Sequence, residues 1–193
     1  TLILFLLISC HSQKFLFHFL LVYYCDPLGL LTIQDGVKNL QQLSEHNISL
    51  LNLYPLVKIP SHINLNDFDG IVIDSTLTYF PSTLNALDGE ISLKLEHYAG
   101  VKVLLKQDEH IRTHETARII GEKKIDLVFT CLDESQRLKA YPPNLVGDAR
   151  FVQHYTGYFS DNLINLANSM EYTRSIDLSY RGSIQPLQCG VLG

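Results

Sequence analysis

Short apolar runs alternate with segments of helical spacing along most of this chain. Aromatic and branched residues fill positions 17–24, and the turn sequence Asp26-Pro27-Leu28-Gly29 follows at once, which predicts a buried strand. A further short apolar run occupies 48–53, and strands are predicted at 68–73, 101–105, 125–131, 150–154 and 176–180. These strands are apolar at consecutive positions, so we expect other elements to cover both of their faces.

Segments of helical period lie between these runs. Apolar residues from Ile33 to Leu43 recur at helical spacing, and Thr32 with Asp35 resembles a capping box. A loop containing Pro81 is predicted next, and further helices are predicted at 89–98 with Gly100 as the C-cap, 115–121, 134–140 and 161–170. Buried strands separated by helices predict the α/β class, as a Rossmann-like open parallel sheet with helices on both faces.

Composition and charge narrow the class of protein. The 193 residues are 46% hydrophobic and 18% charged, which is typical of a globular domain and excludes disorder, collagen and a coiled coil. The net charge is −5 and no run of Lys or Arg is present, so nucleic acid is not expected as a partner. Four scattered cysteines without a CxxC motif indicate thiols in a reducing compartment, which predicts a cytoplasmic protein.

The first 25 residues are the most apolar part of the sequence. Polar residues at 11–14 interrupt this stretch, and each half is shorter than the roughly 20 residues of a membrane-spanning helix. Leu7-Ile8-Ser9-Cys10 resembles a lipoprotein cleavage box without its basic leader, so a lipoprotein anchored at Cys10 remains an alternative. We leave 1–16 as an unassigned extension. Because the chain begins at Thr1 and ends at Gly193 without a helix or cap, we expect a piece of a longer protein.

Polar residues follow almost every predicted strand. Ligands of open α/β sheets bind outside the carboxyl ends of the strands, so these residues are the candidate substrate-binding groups. They are Asp26, Asp74, Ser75, Gln107, Asp108, Glu109, His110, Thr130 and Tyr158. Carboxylates, hydroxyls and an imidazole at one edge suit a polyhydroxyl or cationic ligand. Asp and Ser after a strand are also common helix caps, which stays open for Asp26 and Asp74.

Several established motifs are missing. The sequence has no GxGxxG, no GxxxxGK[ST] and no GxSxG, which disfavours a self-contained dehydrogenase, kinase or hydrolase. His110 and His114 lie four residues apart beside Glu109 and Glu115, a spacing that suits a metal on a helix. No third ligand is evident, so no metal site is predicted.

Four segments together resemble a known family. They are KVLLKQDEH at 102–110, DLVFTC at 126–131, YTGY at 155–158 and RSIDLSYRG at 174–182. In this order and spacing they resemble the bacterial glycosyltransferases built from two Rossmann-like domains (the GT-B architecture), in particular the CgeB-like group. The resemblance covers about 17–193. It departs at His110, where the group usually has Tyr, and at Ser183, where it usually has Arg.

The resemblance implies a domain organisation and a reaction. Residues 17–172 would form the acceptor-side domain, and 173–193 would begin the C-terminal domain that binds a nucleotide-sugar, the rest of which would follow Gly193. The protein would move a sugar from a nucleotide-sugar to a glycan or another hydroxyl acceptor, in polysaccharide or cell-surface biosynthesis. The partners implied are these two substrates and the missing domain, with no cofactor or metal, and contact with a membrane surface is left open.

Site roles follow from the same resemblance. Asp108, Glu109 and His110 would serve the acceptor hydroxyl as catalytic groups, and Asp26 with Gly29 would face the cleft between the domains. Arg181 and Gly182 would approach the diphosphate of the donor, although a surface ion pair is an equally good interpretation of Arg181. We expect this chain alone to lack transferase activity. The alternative is a non-catalytic Rossmann-like binding or regulatory module; a receiver domain is disfavoured because Asp26 has no acidic neighbour.

Overall fold

The computed structural model describes residues 16–88 and 94–155. Within them, six parallel strands form one open sheet in the order β2-β1-β3-β4-β5-β6. The strands are β1 (His18–Tyr23), β2 (Asn47–Asn52), β3 (Gly70–Ile73), β4 (Val101–Leu105), β5 (Leu127–Thr130) and β6 (Arg150–Gln153). The predicted α/β, Rossmann-like fold is therefore confirmed.

Helices and short 3₁₀ turns connect these strands. The helices are α1 (Leu31–Leu43), α2 (Pro81–Asp88), α3 (Thr113–Glu122), α4 (Glu134–Ala140) and α5 (Pro143–Val146). The 3₁₀ turns are Leu65–Asp67, Ser75–Thr78 and Leu95–His97. In the described ranges, every helix is too short or too polar to cross a bilayer. The helix predicted at 161–170 and the strand predicted at 176–180 lie outside the described residues.

The strand order reverses direction once, and this distributes the helices. The chain moves from β1 outward to β2, returns to β3 on the other side of β1, and then continues to β6. Because parallel crossovers are right-handed, connections that run in opposite directions lie on opposite faces of the sheet. Accordingly, Leu40 of α1 packs with Val103 and Phe129 on one face, whereas Leu84 of α2 and Ile119 of α3 join the core on the other.

The larger hydrophobic core lies on the face covered by α2, α3 and α5. It contains alternate residues of the central strands, among them Val22, Ile71, Ile73 and Val128, which are completely buried. Residues between these positions point to the opposite face, since successive side chains of a strand alternate. This burial on both sides explains why the strands are apolar at consecutive positions.

The predicted helix at 89–98 is wrong over its described part. Lys94 has a left-handed backbone (φ 52°), and Leu95–His97 is a 3₁₀ turn. The α-helix of this connection instead begins at Pro81, in the predicted loop, because proline fits the first helical position, where no N–H is needed. Gly100 caps no α-helix: a Cβ there would lie 2.2 Å from the Tyr98 hydroxyl oxygen, so close approach explains this glycine.

The predicted capping box of α1 is also wrong. The helix begins at Leu31, and Leu30 occupies the N-cap position without a side-chain hydrogen bond. The apolar spacing from Ile33 to Leu43 placed the helix correctly, but Thr32 lies inside its first turn rather than before it.

Candidate functional site

The polar residues predicted to line the site follow neighbouring strands at one edge of the sheet. Ile73 of β3 is in register with Leu104 of β4, which is in register with Val128 of β5. Asp74, Gln107 and Thr130 therefore lie at the same, carboxyl, edge rather than at opposite ends of the molecule. The predicted site residues Tyr158, Arg181 and Gly182 lie outside the described residues.

At the end of β3, Asp74 caps a turn. Its Oδ1 accepts hydrogen bonds from the Thr76 backbone N–H at 2.9 Å and from the Thr76 hydroxyl at 2.7 Å, so Asp74 is the N-cap of Ser75–Thr78. Burial raises the pKa of the Asp74 carboxyl, although hydrogen bonds from Thr76 and Ser75 oppose the shift. Ser75 is itself buried. Asp74 therefore serves as a cap, which is the alternative that the sequence left open for it.

The loop after β1 forms the neighbouring part of the edge. The Asp26 carbonyl accepts from the Gly29 N–H at 2.8 Å, and its Oδ1 accepts from the Leu28 N–H at 2.9 Å, which closes a tight turn. The pKa of the Tyr54 hydroxyl is raised, first by its hydrogen bond to the Asp26 carboxylate. The Tyr24 N–H donates to the Thr76 hydroxyl at 2.9 Å and joins this loop to the end of β3.

Glu109 links the loop after β4 to β5 and α4. Its carboxylate accepts hydrogen bonds from the Thr130 hydroxyl, from the Cys131 N–H at 3.1 Å, and from the Tyr141 hydroxyl. Thr130 and Tyr141 are both completely buried. Burial, followed by the nearby Glu109 charge, raises the pKa of Tyr141 well above its ordinary value, so Tyr141 stays protonated and donates to Glu109.

Asp108 and its neighbours face solvent at the rim. Gln107, Asp108 and His110 are exposed, and Asp108 has a left-handed backbone (φ 54°) that is uncommon outside glycine. The Asp108 Oδ2 accepts a hydrogen bond from the Tyr79 hydroxyl at 3.0 Å. Burial raises the pKa of Tyr79 far above its ordinary value, so this hydroxyl is a permanent donor that orients Asp108.

Two cations beside these residues were missed by the sequence analysis. Lys106 is completely buried, and its Nζ donates to the Thr78 hydroxyl and to the Ile111 carbonyl, both at 3.1 Å. Burial lowers the pKa of Lys106, while the charges of Glu109, Asp108 and Cys131 oppose the shift. The available signal was a lysine that directly follows the apolar residues at 103–105 and precedes the polar residues at 107–110.

The second cation is Arg112, which lies where the loop enters α3. Its Nε donates to the Tyr79 carbonyl at 3.3 Å, and its Nη1 lies 3.3 Å from the Glu115 carboxylate. The guanidinium is about one third exposed, so it is also available to an anion at the rim. Arg112 has a left-handed backbone (φ 50°), a feature that cannot be inferred from sequence spacing.

The arrangement can bind hydroxyl groups and accept a proton. The rim offers an amide, a carboxylate and an imidazole, and the Tyr79 hydroxyl holds the carboxylate of Asp108 among them. In the described ranges, no three His, Cys, Asp or Glu side chains form a group that could hold a metal ion.

No protein-family model, curated protein or solved structure matches this chain.

Proposed function

We propose that this chain is the acceptor-side part of a glycosyltransferase that uses a nucleotide-sugar. The observation that carries the proposal is the exposed rim of Gln107, Asp108 and His110 at the carboxyl edge of the sheet, where the Tyr79 hydroxyl donates a hydrogen bond to the Asp108 carboxylate. This edge is where ligands of open α/β sheets bind, and the strand order reverses at the neighbouring β1 and β3. Together with the resemblance of 102–110, 126–131, 155–158 and 174–182, these features favour a hydroxyl-bearing acceptor.

The four polar residues after β4 would then divide into two roles. The Glu109 carboxylate already accepts three protein hydrogen bonds, so Glu109 is a positioning residue that holds the loop against β5. Among the described residues, the exposed Asp108 carboxylate accepts one protein hydrogen bond, which leaves lone pairs for an acceptor hydroxyl. His110 beside it is the alternative base, and Gln107 would donate to and accept from neighbouring hydroxyls of the acceptor.

In the proposed reaction the proton and the leaving group go to different protein groups. The acceptor hydroxyl transfers its proton to Asp108 or His110 while its oxygen forms a bond to the anomeric carbon of the donor sugar. The bond from that carbon to the diphosphate oxygen breaks, and the nucleoside diphosphate leaves with both electrons. Its charge needs a cationic partner, for which Arg112 is the candidate in the described part of the chain.

The test is an activity assay on the full-length protein that contains this chain. Release of nucleoside diphosphate is measured with UDP-, GDP- and dTDP-sugars in the presence of a mixed glycan acceptor. Asp108→Asn is expected to lower turnover about 100-fold or more if Asp108 is the base. Asp148→Asn makes the same chemical change at an exposed position before β6, at the opposite end of the sheet, and should leave turnover unchanged.

Two results would contradict the proposal. Normal turnover in both Asp108→Asn and His110→Ala would remove the rim from the chemistry. Binding of a sugar without turnover of any donor would favour the non-catalytic binding module instead. The 193-residue chain alone is expected to show no transfer.

A further inference from the structure

A second concave surface lies away from the carboxyl edge. A cavity of about 370 Å³ opens between the connection that leads from β2 to β3 and the 3₁₀ turn before β4. Its polar lining consists of Lys58, Ser61, Asn64, Asn66, Lys94 and His97. Most of these residues directly precede β3 or β4, so the cavity is separate from the rim at 107–110.

The lining is cationic although the whole chain is acidic. Two lysines and a histidine line the cavity, and none of its lining residues is Asp or Glu, whereas the chain carries a net charge of −5. Glu96, beside His97, lies 3.5 Å from the Lys123 ammonium, and the Asp67 carboxylate accepts a hydrogen bond from the side chain of Asn64 at 3.0 Å. The lining residues Lys58, Ser61, Asn66 and His97 therefore offer donors to an occupant, and Lys58 offers a positive charge.

The backbone around the cavity is unusual at two positions. Val57, which precedes Lys58, has φ 48°, and Lys94 has φ 52°. A left-handed conformation is costly for a β-branched residue, and such costs concentrate at binding sites. Beneath them, Tyr98 is buried and donates its hydroxyl to the Phe68 carbonyl at 2.9 Å, which fixes one wall of the cavity.

We propose that this cavity binds a small organic phosphate ester. Ammonium, imidazole, amide and hydroxyl donors match the oxygens of a phosphate, and the apolar wall of Ile59, Pro60 and Leu65 matches an organic body. The volume lies within the range of roughly 300–1,000 Å³ found for small-molecule sites. It is an order of magnitude larger than the ~30 Å³ occupied by one water, so it exceeds the need of an inorganic ion.

The test is a titration of the 193-residue chain with phenyl phosphate, followed by amide NMR. Phenol supplies the apolar body alone and inorganic phosphate the anion alone. Shifts are expected at 58–66 and 94–98, with phenyl phosphate binding more tightly than either control compound. Lys58→Gln and His97→Asn are each expected to weaken binding about tenfold, whereas Lys38→Gln, an exposed lysine on α1, should leave it unchanged.

The outcome is independent of the proposed transferase. Asp108→Asn should bind phenyl phosphate like the unaltered chain, because the rim and the cavity share no residue. Equal binding of phenol, equal weakening by Lys38→Gln, or shifts confined to 26–29 and 107–110 would each overturn the proposal. So would normal affinity in both cavity variants.

Discussion

At the scale of single residues, Lys106 is the most unusual group in the described part of the chain. Its ammonium is completely buried, and its two hydrogen-bond acceptors, a hydroxyl and a backbone carbonyl, are both neutral. Removing water from a charged amine costs more free energy than two such hydrogen bonds restore, which is why its pKa is lowered. Lys106 joins the loop at 107–111, which carries Asp108, to the turn after β3.

The free-energy cost of burying the Lys106 ammonium should appear as a pH-dependent difference in stability between the unaltered chain and Lys106→Met. The pKa of Lys106 lies below the ordinary 10.5 in the folded state, so the unfolded chain binds more protons between the two values. The stability of the unaltered chain relative to Lys106→Met should therefore rise as the pH is raised toward 10.5. Urea unfolding of both proteins at about pH 7 and about pH 10 measures the difference, with Lys38→Met as the control for loss of a lysine.

A stability difference between Lys106→Met and the unaltered chain that stays constant over this pH range would contradict the argument. It would mean that burial does not disfavour the Lys106 ammonium. A difference that falls with pH would show that the neighbouring Glu109 and Asp108 charges outweigh burial.

At the scale of elements, helix packing gives different surroundings to two glycines that both lie inside a helix. Gly121 of α3 lies against the segment of α5, where an added Cβ would be 2.0 Å from the Leu145 carbonyl oxygen. Gly36 of α1 has no atom within 4 Å of the corresponding position. Gly121→Ala should destabilise the fold by about 1–3 kcal/mol, whereas Gly36→Ala should stabilise it by about 0.5–1 kcal/mol because alanine favours the helix.

Thermal or urea unfolding of the two glycine variants provides the measurement. Because the substitutions are chemically identical, any effect of alanine on the unfolded chain is shared. Equal changes in both variants would show that α5 moves away from α3 without cost, and the close packing of these helices would then not contribute to stability.

Strand positions followed the apolar pattern where burial was continuous. β4 lies at its predicted position and β1 differs by one residue at each end, because consecutive apolar residues indicate a buried strand. α4 has no buried residue and lies at its predicted position because Pro142 and Pro143 follow it directly. The connection at 74–100 was predicted wrongly because Pro81 was interpreted as a loop signal, although proline also begins helices. Gly100 was misassigned for a related reason: sequence does not distinguish a glycine at a cap from one required by the nearby Tyr98.

At the scale of the whole molecule, topology explains why the edge of the site was predictable and its contacts were not. Parallel strands deliver their carboxyl ends to one edge, so the shared location of Asp74, Gln107 and Thr130 follows from the fold class alone. The partners Tyr79 of Asp108 and Tyr141 of Glu109 lie 29 and 32 residues away. No local spacing indicates such pairs, because they depend on the register of β3, β4 and β5 and on the path of the loops between them.

The two faces of the sheet are packed to different extents, so the same substitution should cost more free energy on one face than on the other. Val22 of β1 is completely buried in the core beneath α2 and α3, whereas Val72 of the neighbouring β3 is half-buried on the opposite face. Val22→Ala removes two fully packed methyl groups and should cost about 2–3 kcal/mol, while Val72→Ala should cost about 1 kcal/mol. Urea unfolding measures both, and the identical substitution on adjacent strands cancels effects of β-propensity. Equal losses would mean that both faces are packed alike, which would contradict the division into a large and a small core.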